Sequence, residues 1–415
     1  MTRIVIVIIA EAVFLLIDFY AFQSYKVAIA GLSEDTQNIL KLIYIGFIII
    51  SLTCFFYYHF GNPDLFGKHT RTFVLSIVFM HYLAKLILVL FTLVDDIQRA
   101  VQWIVYKLSN SEVKKTEDGI SRSEFLAKTG IVVAAAPVIS LSWGIISGAH
   151  DYRVRRIPLP IKGLPKAFHG IQLAQVSDIH SGSFWNKTAV KGGVDMLLKE
   201  KPDLAFFTGD LVNNKASEMS DWGEVFSRIK APLGTYSVFG NHDYGDYVQW
   251  ESPEAKRKNL QDLAAIHKNM GWDLLMNENR IIELDGEQLA ILGIENWGAK
   301  ARFPKYGKMD EAAIGVPDDM TQILLSHDPS HWQSQVLTEY PNVDLTLSGH
   351  THGMQFGIEI PGFKWSPAQY VYKEWAGLYQ ANQQYLYVNR GYGYLGYPGR
   401  FGILPEITII TLESA

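Results

Sequence analysis

The chain has 415 residues, of which 19% are charged, with a formal net charge of −5 and a single cysteine, Cys54. A binder of nucleic-acid phosphates carries a basic surplus, so no nucleic-acid partner is expected, and one cysteine excludes an intrachain disulfide and a thiolate metal site. At roughly 150 residues per domain the length accommodates two or three units, and the 48% hydrophobic content conceals two dissimilar halves.

In the first 150 residues four apolar segments, Ile4 to Phe22, Ile39 to Phe60, Phe73 to Val94 and Thr129 to Ala149, each approach the ~20 residues that cross a hydrocarbon core. The first carries Glu11 and Asp18, the third His81 and Lys85. Charges inside a span snorkel, pair between helices or mark a polar site in the bundle. The stretch from Asp95 to Glu124 has amphipathic spacing at Val101, Ile104, Val105 and Leu108, which predicts an interfacial or cytoplasmic helical linker.

Basic residues gather on the cytoplasmic side of a membrane. Arg99, Lys107, Lys114, Lys115 and Arg122 therefore favour this linker inside and the C-terminal domain outside the cytoplasm, with Arg3, Arg153, Arg155 and Arg156 pulling the other way. The run from Ser121 to Lys128 is similar to a twin-arginine export signal, but Ser123 stands at the second arginine.

From Asp151 the texture changes to short apolar runs that end in polar loops. Ile171 to Val176, Leu204 to Phe207, Tyr236 to Phe239, Leu289 to Ile294, Gln322 to Leu325, Val343 to Leu347, Tyr385 to Val388 and Ile407 to Thr411 read as buried strands. Amphipathic helical patterns lie between several of them, at Val190 to Lys199 and Asn259 to Met270. Strands flanked by helices predict a layered α/β unit over 151–415, after a membrane region over 1–150.

The informative residues lie just past the strand ends, where open α/β sheets place their ligands. They are Asp178 and His180 in Ser-Asp-Ile-His, Asp210 and Asn213 in Gly-Asp-Leu-Val-Asn, and Asn241, His242 and Asp243 in Gly-Asn-His-Asp, followed by His327 in Ser-His-Asp-Pro and His350 and His352 in Gly-His-Thr-His. Imidazole and carboxylate without thiolate suit borderline divalent ions such as Mn, Fe, Co, Ni or Zn. A pair of such ions needs a bridging carboxylate, and Asp210 is the natural bridge.

The order D-x-H, G-D-x-x-N, G-N-H-D, S-H and G-H-x-H resembles the calcineurin-like metallophosphoesterase superfamily from about Gly170 onward, in its membrane-linked bacterial form. Those members read G-H-T-H-G-G-Q where this chain has Met354 in the second glycine position. The resemblance implies a four-layer β-sandwich flanked by helices. It also implies two divalent metal ions, one held by Asp178, His180, Asp210 and His352, the other by Asp210, Asn241, His327 and His350. His242 would serve as general acid or oxyanion stabiliser, with Asp243 orienting it and Asn213 positioning the Asp210 loop.

Together these features predict a metal-dependent hydrolase of phosphate esters or anhydrides in a bacterial inner or cell membrane. Its catalytic part is extracytoplasmic and its substrate lipid-linked or membrane-proximal. Two alternatives stand beside it: a non-catalytic scaffold on the same fold, and a sensor or transporter with a hydrolase output.

Lesser signals remain. Gly391 to Gly396 matches GxGxxG, but Pro398 and Gly399 follow where a helix is required. Arg390 and Arg400 beside it read either as phosphate contacts or as surface salt bridges. The aromatic residues Phe363, Trp365, Tyr370, Tyr372, Trp375 and Tyr379 read either as core packing or as a lipid-contacting cluster.

Overall fold

The computed structural model describes residues 3–62, 67–109, 121–300 and 303–415, divided into two compact units, Met1–Trp143 and Gly144–Ala415. Lys114 and Lys115, used above for orientation, lie outside the described residues.

The first unit is helical, with α1 (Arg3–Ile29), α2 (Glu34–Phe60), α3 (Lys68–Ser109) and the start of α4 (Arg122–Ile146). All four helices are long and apolar enough to cross a membrane. Helix α2 starts where the Ser33 side chain accepts the Thr36 N–H at 3.4 Å, and Glu34 and Asp35 follow in the positive first turn. The separate amphipathic segment expected from Asp95 is instead the continuation of α3, because neither glycine nor proline interrupts 68–109. Its Val101, Ile104, Val105 and Leu108 are exposed. Asp18 on α1 and Lys85 on α3 are both buried and form an ion pair. Tyr82 Oη donates to Asp18 Oδ2 at 3.2 Å and Tyr44 Oη to the Asp18 carbonyl at 2.8 Å, so these intramembrane charges join helices. In the twin-arginine-like run, Ser123 Oγ donates to Asp95 Oδ2 at 2.9 Å.

The second unit carries strands β1 (Arg153–Ile161), β2 (Gln172–Val176), β3 (Leu204–Thr208), β4 (Thr235–Val238), β5 (Asp273–Leu274), β6 (Glu278–Leu284), β7 (Glu287–Gly293), β8 (Gln322–Leu325), β9 (Val343–Ser348), β10 (Ile358–Ile360), β11 (Phe363–Trp365), β12 (Gly377–Ala381), β13 (Gln384–Val388) and β14 (Glu406–Ser414). One six-stranded sheet has the order β1-β14-β2-β3-β4-β5 and the other β12-β13-β9-β8-β7-β6, while β10 and β11 form a separate ribbon. The central strands β2, β3 and β4 of the first sheet run parallel to one another, as do β7, β8, β9 and β13 of the second, while β14 against β2, β6 against β7 and β12 against β13 are antiparallel.

Side-chain alternation builds the layers. Leu173, Leu204, Phe206 and Val238 of the first sheet meet Ile291, Ile323, Leu325 and Leu347 of the second in one apolar core. The opposite faces of the same strands carry Val176, Ala205 and Phe207, covered by helices α5 (Lys187–Lys199), α6 (Gly223–Phe226) and α7 (Pro253–Met270) through Val190, Val194, Phe226 and Leu263. Leu292, Leu324 and Val343 on the outer face of the second sheet are covered by Met309, Trp332 and Val336. The result is a mixed α/β sandwich of two sheets with helices outside.

Strand β1, with three arginines and two prolines, does not read as a strand in the sequence. It sits at a sheet edge, parallel to β14, where Pro158 and Pro160 need not donate to a further neighbour.

Candidate active site

The loops that follow β2, β3, β4, β8 and β9 bring the predicted residues together at one rim of the sandwich. Asp178, His180, Asp210, His350 and His352 all hold left-handed backbone, with φ between 48° and 72°. Each such non-glycine residue costs on the order of 1–3 kcal/mol and persists only where surrounding contacts enforce it. Close packing supplies that enforcement. A Cβ on Gly349 would lie 1.9 Å from Ser177 Oγ and 2.1 Å from Asp178 Oδ2, and one on Gly240 2.2 Å from Asp210 Oδ1. Only glycine lets these loops pack so closely against the carboxylates.

Two groups result, Asp178 with His180 and His352, and Asp210 with His327 and His350, each with ligand-type atoms within 4.8 Å of one another. Asp210 faces both. Its Oδ2 lies 3.2 Å from His327 Nε2 and 3.5 Å from His180 Nε2, and its Oδ1 accepts the His242 N–H at 2.9 Å. The tautomers are fixed from behind. His327 Nδ1 donates to the Thr208 carbonyl at 2.7 Å and His180 Nδ1 to Asn213 Oδ1 at 3.1 Å, which turns both Nε2 lone pairs toward Asp210. His327 Nε2 has no hydrogen-bond partner. Three electron-pair donors face one another in full burial, an arrangement that needs a proton or a metal cation among them.

Electrostatics follow from this convergence. Burial opposes charge on His327, but the Asp210 carboxylate overcomes it and raises the imidazole to about 10. Asp210 is likewise held well below the usual carboxylate range despite its burial, by His327 and His242. His180 is pushed well below its ordinary value, burial outweighing Asp210. The Asp210 carboxylate thus prevails over burial at His327, while burial prevails at His180.

Asn241 completes the second group: its Oδ1 lies 2.8 Å from His350 Nδ1, and its amide nitrogen donates to Tyr247 Oη at 2.8 Å. His350 Nε2 lies 2.8 Å from Tyr372 Oη, and the His350 N–H is shared by both Asp178 oxygens at 2.9 and 3.0 Å. His352 Nε2 is 3.0 Å from His180 Nε2 and 3.2 Å from Asp178 Oδ1. Arg400, fully buried, donates to His352 Nδ1 at 3.0 Å and to the Gly393 carbonyl at 2.6 Å. A guanidinium only donates, so ligation through His352 Nε2 requires the ring proton to move to Nδ1 and Arg400 to rest on the carbonyls it also reaches.

Two expectations are corrected. Asp243 does not touch His242. Its buried carboxylate accepts the N–H groups of Asp210 and Gly240 at 2.8 Å, Leu211 at 2.9 Å and Val212 at 3.3 Å, so it ties the Asp210 loop to the Gly-Asn-His-Asp loop. Burial and the nearby Asp210 push its pKa up to about 7 against those bonds. His242 is oriented by a backbone group instead, its Nδ1 donating to the Asn213 carbonyl at 2.8 Å. Asn213 thus positions two imidazoles, by its side chain and by its carbonyl. Second, Arg390 and Arg400 are not surface residues. Arg390 is buried against Glu406 at 2.6 Å and Glu359 at 2.8 Å.

Tyr247 and Tyr372 were not legible as site residues, because they carry no spacing signal. Gly393 of the GxGxxG run belongs behind the site: a Cβ there would lie 1.9 Å from the Ile179 carbonyl.

Comparison with known proteins places the sequence beside a known family. Residues 171–354 match the family profile "Calcineurin-like phosphoesterase", and residues 2–149 match "Probable Calcineurin-like phosphoesterase, transmembrane domain". A transmembrane protein with metallophosphoesterase domain from Danio rerio is 29% identical over 74% of this chain and 67% of its own length. An uncharacterized metallophosphoesterase of Bacillus subtilis is 29% identical over 71% of this chain and 98% of its own. The UDP-2,3-diacylglucosamine pyrophosphatase of Chlamydia trachomatis is 27% identical over 67% of this chain and 94% of its own.

Proposed function

Since this chain belongs to the calcineurin-like metallophosphoesterases, in their membrane-linked form, we propose that it hydrolyses phosphate esters or anhydrides of lipid-linked or membrane-proximal substrates at a two-metal centre. Residues 1–150 serve as the membrane part and 151–415 as the catalytic part. The observation that carries the reading is Asp210 Oδ2 set between His180 and His327, with both imidazole lone pairs turned toward it.

The donor set fits borderline divalent ions such as Mn, Fe, Zn, Co or Ni. Asp178, His180, Asp210 and His352 would hold one, and Asp210, Asn241, His327 and His350 the other. Bound there, such ions lower the pKa of a coordinated water and offset charge on phosphoryl oxygens. The protein's own contribution is orientation and proton handling. Thr208 and Asn213 fix the imidazole tautomers, and Tyr247 and Tyr372 hold Asn241 and His350 in place. His242 belongs to neither group and is only partly buried. With Nδ1 donating to the Asn213 carbonyl, its Nε2 is the ring atom left to face the leaving oxygen, and it donates a proton there when the ring is the imidazolium.

The lipid-linked substrate is supported by the four apolar helices and by a relative whose name specifies a diacylated sugar nucleotide. The basic residues Arg99, Lys107 and Arg122 near the facing ends of α3 and α4 support a catalytic unit outside the cytoplasm, which a reporter fused at the C-terminus tests. Activity is tested on the full-length protein in mixed micelles, with lipid monoesters, diesters and pyrophosphates set against soluble esters, with and without a chelator. The reading expects chelator-sensitive turnover that favours lipids. Equal turnover of all esters would remove the lipid substrate, and chelator-insensitive turnover would remove the metal centre.

A further inference from the structure

The ribbon β10–β11 has its polarity reversed relative to an ordinary surface hairpin. Its register pairs Ile358 with Trp365, Glu359 with Lys364 and Ile360 with Phe363, so Ile358, Ile360, Phe363 and Trp365 share one face and the two charged residues the other. The charged side is tied back to the protein through its polar ends, with Glu359 partly buried and Lys364 still exposed. Glu359 pairs with Arg155 at 2.6 Å and Arg390 at 2.8 Å, and Lys364 donates to the Ala376 carbonyl at 2.5 Å and to Tyr379 Oη at 3.3 Å. The apolar face is left in solvent, with Ile358, Ile360 and Phe363 48, 58 and 52% exposed. Beside it stand Tyr370, 76% exposed, and Val371, 44% exposed. Ion pairs that hold a ribbon with its apolar side outward oppose the usual burial preference, and exposed apolar patches of this kind mark interaction surfaces.

We propose that this face enters the interfacial layer of an anionic lipid bilayer and so presents the catalytic rim to membrane-borne substrate. The idea rests on the membrane-linked hydrolase reading above. Three observations select lipid as the occupant. The chain carries four helices long and apolar enough to span a membrane. The patch combines Phe, Trp and Tyr, the residues favoured at headgroup depth, with exposed Lys373 and with Lys300, whose Nζ lies 5.6 Å from the Tyr372 ring centre. Its free apolar area is on the order of 600 Å², below the ~800 Å² per partner of a stable protein interface. The ribbon is also built into the site: it follows the Gly-His-Thr-His loop directly, Ser366 Oγ donates to the Gly353 carbonyl at 2.7 Å, and Tyr372 touches His350.

The test uses the full-length chain, with Cys54→Ser as background, reconstituted into vesicles of phosphatidylethanolamine and phosphatidylglycerol. An environment-sensitive fluorophore is attached at Phe363→Cys and, as control, at Ile314→Cys, a position exposed on another loop. The proposal expects a blue-shifted emission at 363, quenched by lipids brominated on the acyl chain, with the label at 314 unquenched. It further expects Ile360→Glu/Phe363→Glu to lower turnover of a vesicle-borne ester about tenfold relative to that of a soluble ester. A label at 363 that stays unquenched overturns the proposal, as does one shielded only by self-association, seen as energy transfer between labelled copies. Quenching at 363 in a protein that hydrolyses no lipid ester leaves the docking intact and removes the substrate reading instead.

Discussion

Asp243 offers the sharpest test of how the site is held together. Its Oδ2 accepts the N–H groups of Asp210 and Gly240, and its Oδ1 those of Leu211 and Val212. Asp243→Asn replaces one oxygen by an amide nitrogen, so whichever way the amide turns, two buried N–H groups lose their acceptor outright and the other two keep only a neutral one. At about 1.5–3 kcal/mol for each hydrogen bond to a charged group, the loss is about 3–6 kcal/mol. For a unit the size of Gly144–Ala415 this lowers the melting temperature by about 2 °C per kcal/mol, or about 6–12 °C. The loosened loops carry Asp210 and Asn241, so metal affinity falls as well, by about 10–100-fold. A thermal scan of tryptophan fluorescence on the detergent-solubilised protein reads the unfolding, since Trp222 and Trp272 lie in the core beneath these loops. A variant that keeps its melting temperature and its metal but loses activity would refute this reasoning and return Asp243 to a chemical role through His242.

Further perturbations separate chemistry from scaffold. His242→Ala should lower kcat by about 10²–10⁴-fold with metal content unchanged, as measured by steady-state kinetics beside elemental analysis. Met354 holds φ 49°, a left-handed conformation that favours glycine, so Met354→Gly should stabilise the catalytic unit by about 1 kcal/mol in the same thermal scan. Asp344 is raised by burial to about 6. Its protonated form is the one that the folded state favours, so its contribution is complete below the ordinary carboxylate value near 3.8 and lost as pH rises through about 6. Asp344→Asn should therefore stabilise the protein at pH 8 by about 2–3 kcal/mol and leave it unchanged at pH 4, as followed by melting temperature against pH.

The rim was legible because its residues obey a local rule: each lies within a few positions of the end of a short apolar run, and the central strands of both sheets are such runs. Gln322–Leu325 is a strand with the bounds read from the sequence, and the neighbouring strands differ by one to three residues at their ends. The edge strands were not legible. Arg153–Ile161 is rich in arginine and proline because an edge tolerates both, and Glu278–Leu284 alternates too weakly to stand out. The task of Asp243 was hidden for a different reason. Adjacency to His242 suggests a side-chain pair, whereas its partners are backbone groups, and the N–H of any residue looks alike in a sequence. The ribbon left no local signal, because Glu359 is held by Arg155, 204 positions away.

The claim on which the account rests is that Asp210 joins two metal positions. The most direct measurement is elemental analysis of the manganese-loaded full-length protein together with its electron paramagnetic resonance spectrum. The account predicts about two ions per chain with an exchange-coupled signal, and loss of coupling with no more than about one ion in Asp210→Asn. A wild-type protein that binds a single magnetically isolated ion, or an Asp210→Asn variant that keeps the coupled pair, would contradict it.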